Sequence, residues 1–222
     1  MKSAGQSLPN LSHSSVEFAD LPGEEEKQNE RKERESIDRQ ISLWRKSNIP
    51  LRHKDGIDEF LKSQGPWIGV YEEIAAKLGT GFIFVLGGIR GVGKTQIASA
   101  LIKKSCKMGL SASYRKAINF FLDFRTTFRK DSEYSEHDVL NSFFSPSLLV
   151  LDAIEERGET AFEDRVLSHL IDMRYDALKD TILITNQTKE AFSESAGNSI
   201  VSRIMETGGF IECAWSSFRS KK

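Results

Sequence analysis

Cysteine is nearly absent. Cys106 and Cys213 are the only two in 222 residues, and neither their spacing nor their neighbours suit a disulfide scaffold or a zinc site. Net charge is equally scarce: 31 Lys and Arg stand against 32 Asp and Glu, a formal charge of -1. No global basic field therefore draws nucleic acid to the chain, and any such surface has to be a local patch. Nowhere do about 18 apolar residues run together, the length a membrane helix needs. Met1 to Asp20 is polar and serine-containing, without the apolar stretch of a secretion signal. These absences point to a cytoplasmic protein, neither secreted nor membrane-spanning. With 39% hydrophobic residues, the length suffices for one sizeable domain plus an appendage and is short for two full domains.

What the sequence does contain is a phosphate-loop pattern, Gly88-Ile89-Arg90-Gly91-Val92-Gly93-Lys94-Thr95, matching G-x-x-x-x-G-K-[ST]. Its glycines let the backbone fold back so that N–H groups converge on phosphates, Lys94 reaches the β and γ oxygens, and the Thr95 hydroxyl can ligate Mg²⁺. The flanks agree. Phe82 to Leu86 reads as a strand buried on both faces, and Ile97, Ala98, Leu101 and Ile102 recur at helical spacing. The helix N-terminus and its dipole then face the anion.

Residues 1 to about 23 lack periodicity and are read as a disordered leader. From Glu24 the composition turns to dense mixed charge, with Ile37, Ile41 and Trp44 as an apolar stripe late in a helix. This arm with its linker, 24–54, either packs its tip on the main domain or binds a partner. Ser47-Asn48-Ile49-Pro50 ends the helix, and His53 is read as structural. The remaining 55–222 form the nucleotide-binding domain. Two short amphipathic pieces, Ile57 to Lys62 and Val70 to Leu78, lead into its first strand. Ala112 to Tyr114 reads as a second strand. The helix after it, about Lys116 to Phe128, has Ile118, Phe121, Leu122 and Phe128 as its expected apolar side. Arg115, Lys116, Arg125, Arg129 and Lys130 near these aromatics fit single-stranded nucleic acid, and equally a solvated basic rim around buried rings, the reading we favour.

Leu148 to Asp152 is an apolar strand ending in an acid, the arrangement by which an aspartate helps hold the metal in phosphate-loop NTPases. It follows the loop by roughly 50 to 60 residues, as a βαβ unit with intervening structure would place it. A helix from about Glu163 to Tyr175 has Val166, Leu167, Leu170, Ile171 and Met173 on its expected core side, and Thr181 to Asn186 is another buried strand. The β-α-β alternation predicts an α/β fold with a parallel sheet covered on both faces.

These residues, together with Ser47 to His53, Ile171 to Tyr175, Ser202 to Glu206 and Trp215 to Arg219, resemble in order the DnaC-type replicative helicase loaders, AAA+ ATPases similar to the IstB transposition helpers. The resemblance implies an AAA+ P-loop NTPase with a short N-terminal helical arm and a reduced C-terminal lid. It implies ATP and Mg²⁺ as cofactors, contacted by Gly88, Gly91, Val92, Gly93, Lys94, Thr95 and Gln96, with Thr95 and Asp152 holding the metal. Asn186 matches the polar sensor of the γ-phosphate, Arg203 the arginine finger offered to a neighbouring subunit, and Arg219 the second sensor. A replicative helicase, single-stranded DNA and further copies of the chain are the implied partners. An IstB-like helper on duplex DNA is the alternative. The other is a nucleotide-dependent interaction module with little hydrolysis.

Two departures bear on mechanism. The family usually has a glutamate directly after the metal-linked aspartate, whereas here Ala153 follows Asp152, and alanine can neither accept a proton nor orient water. Glu155 and Glu156 lie close enough to substitute if the strand ends early. ATP is therefore expected to bind well, with hydrolysis slow or partner-dependent. The second departure is the short stretch after Asn186, into which a full helical lid does not fit, so that cover for the nucleotide is expected from the next subunit.

Overall fold

The apolar runs become the strands of one parallel sheet in the computed structural model, which describes residues 23–158 and 160–218. In chain order the elements are α1 (Glu24–Arg45), α2 (Leu51–Lys54), α3 (Ile57–Lys62), α4 (Pro66–Ala75), β1 (Ile83–Gly87), α5 (Lys94–Lys107), β2 (Ala112–Lys116) and α6 (Ala117–Thr126). There follow α7 (Glu136–Phe144), β3 (Leu148–Asp152), a 3₁₀ turn (Ile154–Glu156), α8 (Ala161–Asp176), β4 (Asp180–Ile184), α9 (Lys189–Ala196), α10 (Asn198–Thr207) and β5 (Gly209–Glu212). The strands lie in the order β2-β3-β4-β1-β5, and every neighbouring pair is parallel. The expected leader, apart from Gly23, and Arg219 lie outside the described residues.

Alternation along the strands sorts the core into two layers. Phe84, Leu86, Leu148, Val150, Ile182 and Ile184 turn towards α4 and α5, while Ile83, Val85, Leu149, Leu151 and Leu183 turn towards the face packed with α6, α8 and α10. All of these strand residues are buried. At about 1.5–3 kcal/mol for each large apolar side chain removed from water, the two layers are the main source of cohesion. They hold β1, β3 and β4 side by side, so that the carboxyl ends of three parallel strands share one crevice.

Several expectations about faces are corrected. On α6 the buried set is Ala117, Phe120, Phe121 and Phe124, whereas Leu122 and Phe128 are exposed. β2 runs on to Lys116 and the helix stops at Thr126, which turns the apolar face by about one residue and leaves Phe128 past the helix end. On α8, Arg174 is fully buried and Met173 only partly so. On α1 only Trp44 of the expected stripe packs on the core, joined by Leu43, while Ile37 and Ile41 stay exposed. The chain divides into units of residues 1–36 and 37–222. Of the first, the described part of α1 is exposed and has an Arg31–Glu35 ion pair at 2.9 Å.

The segments after Asn186 that sequence reading left unassigned are α9, α10 and β5, and the last pairs with β1 from Phe84↔Gly209 to Gly87↔Glu212. The helix α7 also went unassigned. Its signature is a capping box in which the Ser135 hydroxyl accepts from the Asp138 N–H and the Asp138 carboxylate accepts from the Ser135 N–H.

Candidate functional site: a phosphate loop at the carboxyl ends of three strands

β1 ends at Gly87 and α5 begins at Lys94, so the six residues between them turn the chain back over the sheet edge. Gly88 has φ 128°, and a Cβ there would sit 2.7 Å from the Cys213 carbonyl oxygen. Gly93 is the left-handed N-cap of α5, with φ 87° and no side-chain cap. The first N–H groups of α5 therefore have no side-chain acceptor from the cap and face the loop's concave side, an arrangement that suits an anion.

Lys94 is buried, and its ammonium donates to Gly88 O at 2.5 Å, to Ile89 O at 2.9 Å and to Asn186 Oδ1 at 3.1 Å. Burial pushes its pKa down, while the nearby Asp152 and Glu155 carboxylates hold it up. Asn186 lies just past the end of β4, and its Nδ2 donates to Glu155 Oε1. The amide thus bridges the lysine and Glu155.

From the adjacent strand, Asp152 Oδ2 accepts from Thr95 Oγ1 at 3.1 Å and from the Tyr114 hydroxyl at 2.5 Å. Tyr114 is in β2, whose edge is covered where the Tyr114 N–H donates to Ser47 O at 2.8 Å. Burial and then the Asp152 charge raise the Tyr114 phenol far above its ordinary pKa, so it remains a donor throughout the working range. Sequence reading missed this tyrosine, because β2 and β3 adjacency is a property of strand order. The Tyr114→Phe variant keeps the ring and removes the donor. Losing a hydrogen bond to a charged group costs about 1.5–3 kcal/mol, so the Mg²⁺ concentration needed for half-maximal ATP-analogue binding is expected to rise about tenfold, as a metal titration would show.

A cavity of about 800 Å³ opens beside the loop, its phosphate end lined by Lys94, Thr95, Asp152 and Asn186. Arg52, His53, Phe60, Trp67 and Phe218 line the same cavity, none of which sequence reading placed in a site. Phe218 and Trp67 meet edge to face at 4.8 Å. The segment after β5 is tied along the loop by three hydrogen bonds: Cys213 N to Gly87 O at 2.8 Å, Trp215 Nε1 to Val92 O at 2.7 Å and Phe218 N to Gly91 O at 3.0 Å. Gln96 lines the cavity, but its amide is engaged by His53, with Oε1 facing His53 Nδ1 at 3.0 Å and Nε2 donating to His53 O at 3.3 Å.

Arg203 is not among the residues lining this cavity. It lies on α10, 3.1 Å from Asp172 of α8, donates to Ser199 O at 3.0 Å, and stacks over the Tyr175 ring at 5.3 Å. Two oxygen donors 3.1 Å apart, Thr95 Oγ1 and Asp152 Oδ2, fit Mg²⁺, which takes one or two protein oxygens and completes its shell with phosphate and water.

The family model described as IstB-like ATP binding protein matches residues 80–222. The replicative helicase loader DnaC of Escherichia coli (strain K12) is 27% identical over 140 residues, 62% of this chain and 56% of that protein. The chain thus spans little more than half the length of that relative. A crystal structure of the DnaC helicase loader superposes with a TM-score of 0.61 at 21% identity, covering 73% of this chain and 99% of that one. The replication initiator DnaA bound to AMPPCP and single-stranded DNA superposes with a TM-score of 0.62 at 21% identity, covering 76% of this chain and 52% of that one.

Proposed function

From the fact that this chain belongs to the family of IstB-like ATP-binding proteins, we propose that it is an AAA+ helicase loader of DNA replication, binding a replicative helicase and single-stranded DNA under control of ATP. The observation behind this reading is the joining of Lys94, Thr95, Asp152 and Asn186 around one cavity by hydrogen bonds that reach across three strands. A nucleotide occupying it places its phosphates on the N–H groups of the loop and the first turn of α5. Lys94 then exchanges the Gly88 and Ile89 carbonyls for phosphate oxygens. Thr95 and Asp152 hold Mg²⁺, with Tyr114 fixing the orientation of the carboxylate. When bound, the metal neutralises charge on the transferred phosphoryl group. Trp67 and Phe218 add aromatic surface to the same cavity, and the exposed Ile37 and Ile41 of the arm offer apolar surface to a helicase.

Arg203 is assigned to the nucleotide of a neighbouring copy. In the single chain it rests on Asp172, in a pair with side chains 26% and 38% exposed. Such a pair contributes no more than about 1 kcal/mol, which a phosphate in the next subunit can outcompete. The Arg203→Ala variant is expected to fold normally and to remain a monomer with an ATP analogue under conditions where the unmodified chain assembles. Light scattering checks this, and assembly unchanged by the substitution would overturn the assignment.

The loader reading is tested by capture of a purified hexameric helicase and by ATP-dependent binding to single-stranded against duplex oligonucleotides. Retention of the helicase and preference for single strands are expected. The family match itself favours a second reading, a transposition helper, for which duplex preference without helicase capture is the outcome.

A further inference from the structure

The strand bearing Asp152 ends abruptly. Ala153 has φ 58° and ψ 52°, a left-handed conformation that L-residues seldom adopt. It throws the chain into the 3₁₀ turn Ile154–Glu156 in place of a further extended residue. The turn is pinned on both sides. Ile154 is buried in the core with Leu151 and Leu167, and the buried Arg157 guanidinium donates to Ile154 O at 3.2 Å, to Asp164 at 3.2 Å and to Ser195 O. Glu155 is carried towards Asn186 as a result. Its Oε1 accepts from the Asn186 amide, and its Oε2 is buried without a hydrogen-bond partner among the described residues. A carboxylate oxygen held that way is an acceptor with nothing to accept from.

The geometry points to Glu155 as the carboxylate that orients and deprotonates the attacking water, in a role that position 153 cannot fill. This rests on the ATP-site reading above. Glu156 is the competitor by sequence. It faces the cavity, but its side chain is 44% exposed and lies 3.6 Å from the Arg90 guanidinium, 73% exposed itself. That leaves Glu156 solvated and paired. Glu155, by contrast, does not line the cavity itself and stands behind Asn186, hydrogen-bonded to the same amide that accepts from Lys94. In the reaction the water oxygen forms a bond to the γ-phosphorus as the bond from that phosphorus to the β,γ-bridging oxygen breaks. The water proton passes to Glu155 Oε2, and ADP and phosphate leave. The unliganded contact also couples two events: as Asn186 turns its amide N–H towards the γ-phosphate it lets go of Glu155, whose carboxylate becomes available to water.

The experiment compares ATP turnover, with helicase and single-stranded DNA present, and binding of a fluorescent non-hydrolysable ATP analogue, for the unmodified chain and for Glu155→Gln, Glu155→Ala and Glu156→Gln. Glutamine keeps an acceptor for Asn186 and loses the base. Turnover is expected to fall about 100-fold in both Glu155 variants, the scale of a lost general base, with analogue binding and melting temperature unchanged. Glu156→Gln should stay within about twofold of the unmodified chain, since its exposed carboxylate is screened. Wild-type turnover in Glu155→Gln with a defect confined to Glu155→Ala would reduce Glu155 to positioning Asn186 and overturn the proposal. Analogue binding with no turnover in the unmodified chain would also overturn it while leaving the nucleotide site standing. Absence of analogue binding would instead bring down the ATP-site reading.

Discussion

The Lys94→Ala variant is expected to lose ATP affinity by roughly 30-fold to 3,000-fold. The estimate follows from about 2–5 kcal/mol for truncating one member of a buried, hydrogen-bonded charge pair, at 1.4 kcal/mol for each factor of ten. The side chain is 5% exposed and points back to two loop carbonyls and to Asn186, so nothing in the solvent replaces it. Calorimetric titration with an ATP analogue measures the loss, and affinity within threefold of the unmodified chain would remove phosphate binding from this loop. The sign of the pH dependence follows from the same burial. Desolvation holds the free ammonium below the usual lysine range, and a bound phosphate raises it again. Affinity is accordingly fullest below the lowered pKa and declines as pH rises through it.

The part of this site legible in the sequence is the part written in continuous segments. Phe82 to Leu86, Leu148 to Leu151 and Thr181 to Ile184 are unbroken apolar runs because their strands are buried on both faces. Each leads to its functional residue within a few positions: the loop, Asp152 and Asn186. Contacts that depend on which strand lies beside which leave no such trace. Tyr114 reaches Asp152 because β2 neighbours β3, and Phe218 reaches Trp67 because β5 pairs with β1 and returns the chain to the loop. The position of Glu155 was half legible. Its nearness to Asp152 was plain, but the left-handed Ala153 that selects it over Glu156 breaks a local rule, and no propensity favours alanine there. The α6 face failed differently: six phenylalanines between 120 and 144 support more than one helical phase, and the strand before the helix decided it.

Arg174 is the residue whose removal is expected to cost the fold most, and a composition argument would have placed it on the surface. It is completely buried, yet no carboxylate among the described residues hydrogen-bonds to it. Its guanidinium donates to backbone carbonyls of Phe143, Phe144, Pro146 and Asp180 at 3.1, 2.9, 2.9 and 2.5 Å, and to Thr181 Oγ1 at 2.9 Å. One side chain therefore joins α8 to the end of α7, the entry of β3 and the start of β4, where register for the whole crevice is set. Burial lowers its pKa to about 9, against which the Asp180 charge acts, so the guanidinium is charged and all its donors are present at neutral pH. The Asp180 carboxylate itself accepts from the N–H groups of Gly79 and Gly81, at 2.5 and 2.8 Å, and locks the turn before β1. Arg174→Ala strands several buried carbonyls, each at about 1–3 kcal/mol, and opens a cavity. A loss of about 4 kcal/mol or more is expected, in the range reserved for broken buried networks. At roughly 2–4 °C per kcal/mol for a domain of this size, that is a fall of about 8–16 °C in melting temperature, or failure to fold. Arg174→Lys should recover only part, since an ammonium has three donors at one point where the guanidinium presents a planar fork. Thermal melts of both variants decide it: a fall of under about 3 °C for alanine, or full rescue by lysine, would show that the loop and strands hold their register without the fork.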